Sequence, residues 1–138
     1  MKNEEFVLEW LRRARSNLER AKAGKISEGV LYEDLCFDCQ QAAEKAIKAL
    51  LISTGKEFPW EHSIPRLLEL VEDAGIEIPV GVKGAIDLTD YAVKTRYPGG
   101  REPVTEEEYN KALKVAEKVY EWVTETIRKR KDKCHKLR

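Results

Sequence analysis

An arginine and a tyrosine stand side by side at positions 96 and 97, within the run Thr-Arg-Tyr-Pro-Gly-Gly of residues 95–100. Pro98 lacks an N–H and disfavours a helical conformation at the residue before it, so a helix has to end here. We therefore expect Arg96 and Tyr97 at a helix end that a ligand can reach. A guanidinium binds phosphate through paired hydrogen bonds, and a phenol ring stacks on a base. The alternative is a solvated helix-end cation beside a tyrosine that fills the core.

Three further polar residues are candidates for the same site. Lys45 and Lys48 lie on the predicted second helix, and we expect one of them to assist Arg96 across a cleft. His62 precedes the predicted third helix and can exchange a proton near neutral pH. The alternatives are structural: Glu44 and Lys48 are four residues apart and can pair on a solvated helix face, and His62 can bond to backbone near a helix start.

The cysteines and the last residues offer weaker signals. Cys36 and Cys39 form a Cys-x-x-Cys pair, and Cys134 precedes His135, so zinc ligation has to be considered. The pair falls on a helical stripe rather than on a turn, which favours buried structural thiols, and we expect neither a metal nor a cofactor. The basic segment 128–133 could contact nucleic-acid phosphates, or it could simply complement the helix dipole.

Composition indicates one cytoplasmic domain. The chain has 138 residues with 25 basic and 25 acidic side chains, so net charge gives no argument for nucleic acid. The odd cysteine count opposes a disulfide framework, and no apolar run is long enough for a membrane span or a signal peptide. We expect a single domain over residues 1–138, with a core at about 5–127 and a basic tail at 128–138.

Helical periodicity dominates and predicts five helices in an all-α, up-and-down antiparallel bundle. The first carries an apolar stripe and ends at Gly24, and the second runs from near Val30 to near Ser53. Its small alanines would let another helix approach closely.

The remaining three helices have their own boundary signals. The third begins after a capping Ser63 and ends at Gly75. A fourth begins at residues 79–81 and is predicted to bury Val82, Ile86, Thr89 and Val93. Thr105 and Glu108 form a capping box for the fifth. Three tryptophans, Trp10, Trp60 and Trp122, are expected to be partly buried packing residues.

Several segments together resemble one known family. Residues 36–51, which contain Gln-Gln-Ala-Ala-Glu-Lys-Ala, resemble the central helix of HEPN (higher eukaryotes and prokaryotes nucleotide-binding) domains. Tyr91 with Thr-Arg-Tyr-Pro at 95–98 resembles the second signature of that family, and His-Ser-Ile at 62–64 resembles its linking motif. The resemblance spans about residues 5–127, and it is to the kind of HEPN domain that pairs with minimal nucleotidyltransferases.

The resemblance implies a homodimer and a small nucleotidyltransferase partner in a toxin–antitoxin system. Many HEPN proteins are metal-independent ribonucleases with an Arg-x(4–6)-His motif, but no histidine follows Arg96 at that distance. The implied function is therefore nucleotide or RNA-phosphate binding at Arg96, Tyr97, Lys45, Lys48 and His62, with Tyr97 as an acceptor for modification by the partner. Two alternatives stay open: an endoribonuclease with a variant active site, and a purely structural dimerisation module.

Overall fold

Five α-helices build the described part of the protein, as the periodicity predicts. The structure, a computed structural model, describes residues 2–55, 60–92 and 102–136. The helices are α1 (Lys2–Ala23), α2 (Tyr32–Ser53), α3 (Ile64–Asp73), α4 (Val80–Lys83) and α5 (Glu106–Lys136), and a 3₁₀ segment (Gly84–Ala92) continues from α4. The described ranges contain no strand. None of their helices combines the length and apolar character needed to cross a membrane.

Helix α2 is the centre of the bundle. It packs against α1, α5, α3 and the 3₁₀ segment. Four alanines on it, at positions 42, 43, 46 and 49, are fully buried. Because alanine side chains are short, α1 and α5 can approach the α2 backbone closely. The expectation of closely packed alanines is confirmed, and α2 becomes the element that positions buried polar groups.

The ends of the helices follow the predicted signals closely. Gly24, Gly55 and Gly75 have φ angles of 69°, 87° and 84°, in the left-handed region that favours glycine after a helix. At the start of α5, the Thr105 hydroxyl accepts the backbone N–H of Glu108 at 3.1 Å. The three glycine stops and the forward half of the capping box are therefore confirmed.

Helices α1 and α5 run antiparallel and are joined near both ends. The Tyr109 hydroxyl donates to the Ala21 carbonyl at 2.5 Å, and its ring stacks on Tyr32 with centroids 5.3 Å apart. At the opposite end, Lys131 lies 3.3 Å from the carboxylate of Glu4. The basic residues 128–133 are part of α5, which continues to Lys136.

The fourth predicted helix is the main error in the fold. Only Val80–Lys83 is α-helical, and the chain then tightens into the 3₁₀ segment. Val82, Ala85 and Leu88 are buried at a spacing of three, which is the period of a 3₁₀ helix. Ile86, predicted to be buried, is 44% exposed. The predicted stripe assumed 3.6 residues per turn, and its last member, Val93, lies outside the described residues.

Candidate functional site

A buried ion pair on α2 is the starting point of the candidate site. Lys48 Nζ lies 3.0 Å from Glu44 Oε2, and the two side chains are only 2% and 8% exposed. The predicted pairing is confirmed, but the predicted solvated face is wrong. Trp10 of α1 covers this side, with Lys48 Nζ 5.5 Å from the centre of its ring. Burial of two charges is costly unless they are paired and hydrogen-bonded, so this pair needs its surrounding partners.

Two glutamines complete the buried side of the pair. Gln40 donates from Nε2 to Glu44 Oε1 at 3.0 Å, and Gln41 donates to Gln40 Oε1 at 2.7 Å. Gln40 lies one helical turn before Glu44 and binds its Oε1, while Lys48 lies one turn after it and binds its Oε2. Both carboxylate oxygens of Glu44 therefore have partners. The Gln-Gln-x-x-Glu-x-x-x-Lys spacing of α2 thus folds into one continuous polar network.

His62 joins this network from the loop before α3. Its Nδ1 lies 3.1 Å from Lys48 Nζ and 3.2 Å from Glu44 Oε2, while the side chain is 76% exposed. If Nδ1 accepts from the Lys48 ammonium, the proton of the neutral ring sits on Nε2. If Nδ1–H donates to Glu44, the Nε2 of a neutral ring becomes an acceptor. We call Gln40, Glu44, Lys48 and His62 the imidazole network.

The loop that carries His62 is held by its neighbour Glu61. Glu61 Oε1 accepts the backbone N–H groups of His62 and Ser63, each at 3.0 Å. The bond from the Ser63 backbone, followed by that from His62, lowers the pKa of Glu61. Ser63 makes no capping bond with its own side chain, so this predicted cap is wrong. The Glu61 carboxylate takes the neighbouring N–H groups instead and fixes the backbone where His62 emerges.

A second polar cluster lies between α1 and α2. Asn17 donates to Asp38 Oδ1 at 2.9 Å and accepts from Lys45 Nζ at 2.7 Å. Arg20 Nε lies 3.4 Å from Asp38 Oδ2. Burial raises the pKa of Asp38 and lowers the pKa of Lys45, in each case against opposing charges nearby. We call these four residues the amide network.

The amide network borders an open cleft of about 530 Å³ between α1, the loop after it and the start of α2. Its polar lining has both signs of charge, because Arg20 and Lys45 face it together with Asp34 and Asp38. A mixed lining of this kind does not select strongly for anions.

A model of the HEPN domain matches residues 7–129 of the chain. The chain is a HEPN-domain protein. The match covers all residues of the imidazole and amide networks, so the resemblance seen in residues 36–51 and 95–98 is confirmed.

Two solved structures agree with this assignment. TT1696 from Thermus thermophilus is 37% identical, with 86% of this chain and 96% of that chain covered and a TM-score of 0.74. ST0689, an archaeal HEPN homologue, is 32% identical, with 88% and 97% covered and a TM-score of 0.69. Among curated proteins, no significant match is found.

The HEPN fold brings together two of the five predicted site residues. Lys48 and His62 are in contact, whereas Lys45 points toward α1 and belongs to the amide network. Arg96 and Tyr97 lie outside the described residues. The sequence did not reveal that Lys48 is buried, because the cover from α1 comes from a distant part of the chain.

The thiols of α2 are buried in the core. Cys36 and Cys39 are fully buried and form no disulfide, and burial, with the nearby Cys36 as a secondary cause, raises the pKa of Cys39. Within the described residues, no group of three or more His, Cys, Asp or Glu side chains is placed to hold a metal ion.

The predicted partial burial of Trp60 is wrong. Trp10 and Trp122 pack partly buried against the core as expected, but Trp60 is 87% exposed. The available signal was its position in the non-periodic stretch between the Gly55 stop and the start of α3.

Proposed function

We propose that this HEPN protein binds nucleotide or RNA phosphate at a site formed by His62 and Arg96. The observation that carries the proposal is the exposed imidazole of His62, whose Nδ1 is held between the buried Lys48 ammonium and the Glu44 carboxylate. Burial of the Glu44 and Lys48 charges costs free energy, and packing alone does not require such a pair to end at the exposed ring of His62.

The imidazole network assigns different roles to the predicted ligands. Lys48 is almost fully buried and already bonded to two partners, so it acts by orienting His62 rather than by touching phosphate. With Nδ1 accepting from Lys48, the outward Nε2–H of His62 is a donor suited to a phosphate oxygen. Arg96 adds the bidentate cation that phosphate binding needs. Lys45 then contributes only through its charge.

The biological setting that we propose follows from the family resemblance. The protein works as a homodimer and partners a small nucleotidyltransferase in a toxin–antitoxin-type system. Tyr97, next to the phosphate-binding Arg96, is the acceptor for nucleotidyl modification by that partner. Co-expression with a minimal nucleotidyltransferase, followed by mass analysis of the parent and of Tyr97→Phe, tests this part separately.

One observation favours the alternative function, an endoribonuclease. A carboxylate that holds Nδ1–H of a histidine leaves the Nε2 lone pair directed outward as a general base. The 3.2 Å contact between Glu44 and His62 fits that role. In this case His62 accepts the proton of a ribose 2′-hydroxyl, the 2′-oxygen attacks the phosphorus of the phosphate that Arg96 holds, and the bond to the 5′-oxygen breaks. The leaving 5′-oxygen takes a proton from the protonated His62 or from water, although no histidine follows Arg96 at the family's usual distance.

Binding titrations combined with a cleavage assay separate phosphate binding from ribonuclease activity. We would titrate a fluorescent oligoadenylate with the parent, His62→Ala and Arg96→Ala, and examine the RNA for cleavage on a gel. We expect Arg96→Ala to abolish most binding, Arg96→Lys to restore it only partly, and His62→Ala to weaken it about tenfold, as loss of a hydrogen bond to a charged group does. His135→Ala and Arg128→Ala serve as matched controls and should bind like the parent.

The other outcomes are equally informative. Cleavage that His62→Ala removes would make the protein a ribonuclease. Equal affinity of Arg96→Ala and the parent would show that the site is wrong, and the basic end of α5 from Arg128 would be the next candidate. A parent that binds no RNA or nucleotide, yet dimerises in light scattering, would leave the dimerisation module as the function.

A further inference from the structure

The indole of Trp60 is the most exposed large aromatic side chain in the described part of the protein. It is 87% exposed and stands two residues before His62. Tryptophan is usually well covered in folded proteins, because its ring carries a large apolar area. An exposed indole two residues from a polar site offers a flat apolar surface for contact with a ligand.

The chain around Trp60 is well anchored on its C-terminal side. Glu61 binds the backbone N–H groups of His62 and Ser63, and the His62 ring is fixed by Glu44 and Lys48. Helix α3 begins directly afterwards at Ile64. A fixed backbone lowers the entropy that the loop would lose when a ligand binds.

Trp60 and His62 offer two different kinds of contact within one short segment. An indole ring stacks on any nucleobase, and an imidazole N–H donates to a phosphate oxygen. Two residues of extended chain span at most about 7 Å between their Cα atoms. One nucleotide, with its base at one end and its phosphate at the other, is long enough to reach both side chains.

We propose that Trp60 is a base-stacking residue and that the ligand of this protein carries an unpaired nucleobase next to the phosphate bound at His62. This inference rests on the proposed function and narrows it. A base that is paired within a duplex has no free face for the indole, so double-stranded RNA is not the ligand. The base belongs either to a free nucleotide or to a single-stranded segment of RNA.

The test uses the full-length protein and three probes: a fluorescent oligoadenylate, an abasic oligonucleotide of the same length and charge, and AMP as a competitor. We expect Trp60→Ala to weaken oligoadenylate binding about tenfold. Binding of the abasic strand should be equally weak for the parent and for Trp60→Ala. Trp60→Tyr should keep most of the affinity, and Val80→Ala, a change at an equally exposed apolar residue, should have no effect.

Competition with AMP identifies the source of the base. If AMP displaces the oligonucleotide from the parent but much less effectively from Trp60→Ala, a free nucleotide is bound through the stack. If only the strand shows the Trp60 dependence, the ligand is single-stranded RNA. Either result supports the inference.

Three results would overturn it. If His62→Ala weakens binding while Trp60→Ala leaves it unchanged, the phosphate site stands and the stacking role is wrong. An equal loss for the base-containing and abasic strands in Trp60→Ala would indicate a structural role. A Trp60→Ala protein that loses only its dimer in light scattering would place the indole in a protein interface. Loss of the proposed function itself appears differently, as unchanged binding in both His62→Ala and Arg96→Ala.

Discussion

Two lysines of α2, three positions apart, are paired with carboxylates in different ways. Lys48 meets the carboxylate of Glu44 directly at 3.0 Å, whereas Lys45 reaches Asp38 only through the side-chain amide of Asn17. The pair of Lys48 and Glu44 connects to the exposed His62, whereas Arg20 borders the pair of Lys45 and Asp38 at the cleft.

The difference shows how a buried lysine can serve a site that it does not touch. In the imidazole network the charges of Glu44 and Lys48 neutralise each other, and the group exposed to the solvent is the imidazole of His62. In the amide network a neutral amide separates the charges, and burial raises the pKa of Asp38 and lowers that of Lys45. The direct pair is a contact between two buried charges, whereas the relayed pair depends on one neutral side chain between its charges.

The largest effect should come from breaking the direct pair. Lys48→Met keeps the length of the side chain but leaves Glu44 buried without its main partner, which should lower the free energy of unfolding by about 3–5 kcal/mol. Urea denaturation followed by circular dichroism measures this loss. The matched change Lys45→Met, at a partly exposed lysine whose bond is to an uncharged amide, should cost about 1 kcal/mol.

A double variant distinguishes charge from shape at the same position. Glu44→Gln with Lys48→Met removes both charges while its amide oxygen can still accept from Gln40. We expect it to be more stable than Lys48→Met alone, because an uncompensated buried charge is costlier than a neutral pair. If the single and double variants lose the same stability, charge pairing is not what holds this part of α2.

Removal of the Asn17 amide, which links Lys45 to Asp38, should have an intermediate effect on stability. Asn17→Ala deprives Asp38 and Lys45 of their shared amide, and loss of hydrogen bonds to charged groups should cost about 1–3 kcal/mol. Thermal and urea unfolding of Asn17→Ala would be compared with Asn110→Ala, a change at an exposed asparagine of α5. Equal stabilities of these two variants would contradict a structural role for the amide network.

The smallest effect is a change in pH dependence. Because burial raises the pKa of Asp38 above its ordinary value of 3.8, the native state binds this proton more readily than the unfolded state. The stability contributed by the group is therefore present below that value and is lost as pH rises through the raised pKa. Asp38→Asn stays uncharged, so its free energy of unfolding should rise relative to the parent as the pH increases above the ordinary value of 3.8.

The control for this profile is Asp73→Asn, at an exposed acid of α3 outside the amide network. Asp34 is not suitable, because its charge contributes to the raised pKa of Asp38. If the free energy of unfolding of Asp38→Asn follows the same pH profile as that of Asp73→Asn, burial does not alter the Asp38 carboxyl, and the amide network loses the electrostatic part of its explanation.

Local signals in the sequence were enough for most of the fold. Residues Gly24, Gly55 and Gly75 end helices because a left-handed backbone turns the chain there, and the Thr105 hydroxyl caps α5 as the spacing to Glu108 predicts. The 3₁₀ segment escaped prediction because a period of 3.0 differs little from 3.6 over so few residues. The burial of Lys48 escaped prediction because it depends on cover from the distant helix α1, whereas the exposure of Trp60 had a local signal in its position outside the periodic segments.

The candidate site was predictable in composition but not in arrangement. Lys48 and His62 could be chosen by residue type and by resemblance to the family. Their contact depends on where the loop before α3 lies, and the separate partner of Lys45 depends on how α2 packs against α1. Side chains three positions apart on a helix differ in direction by about 60°, so they can meet different neighbours.

Chemical labelling of the fully buried thiols of Cys36 and Cys39 can report how often the central helix α2 opens. A thiol reagent needs a thiolate that it can reach, and burial withholds access from both thiols and raises the pKa of Cys39. Each of these sulfur atoms can therefore be labelled only during moments when α2 separates from its neighbours. The labelling rate under native conditions becomes a direct reading of how often the helix that carries both polar networks is released.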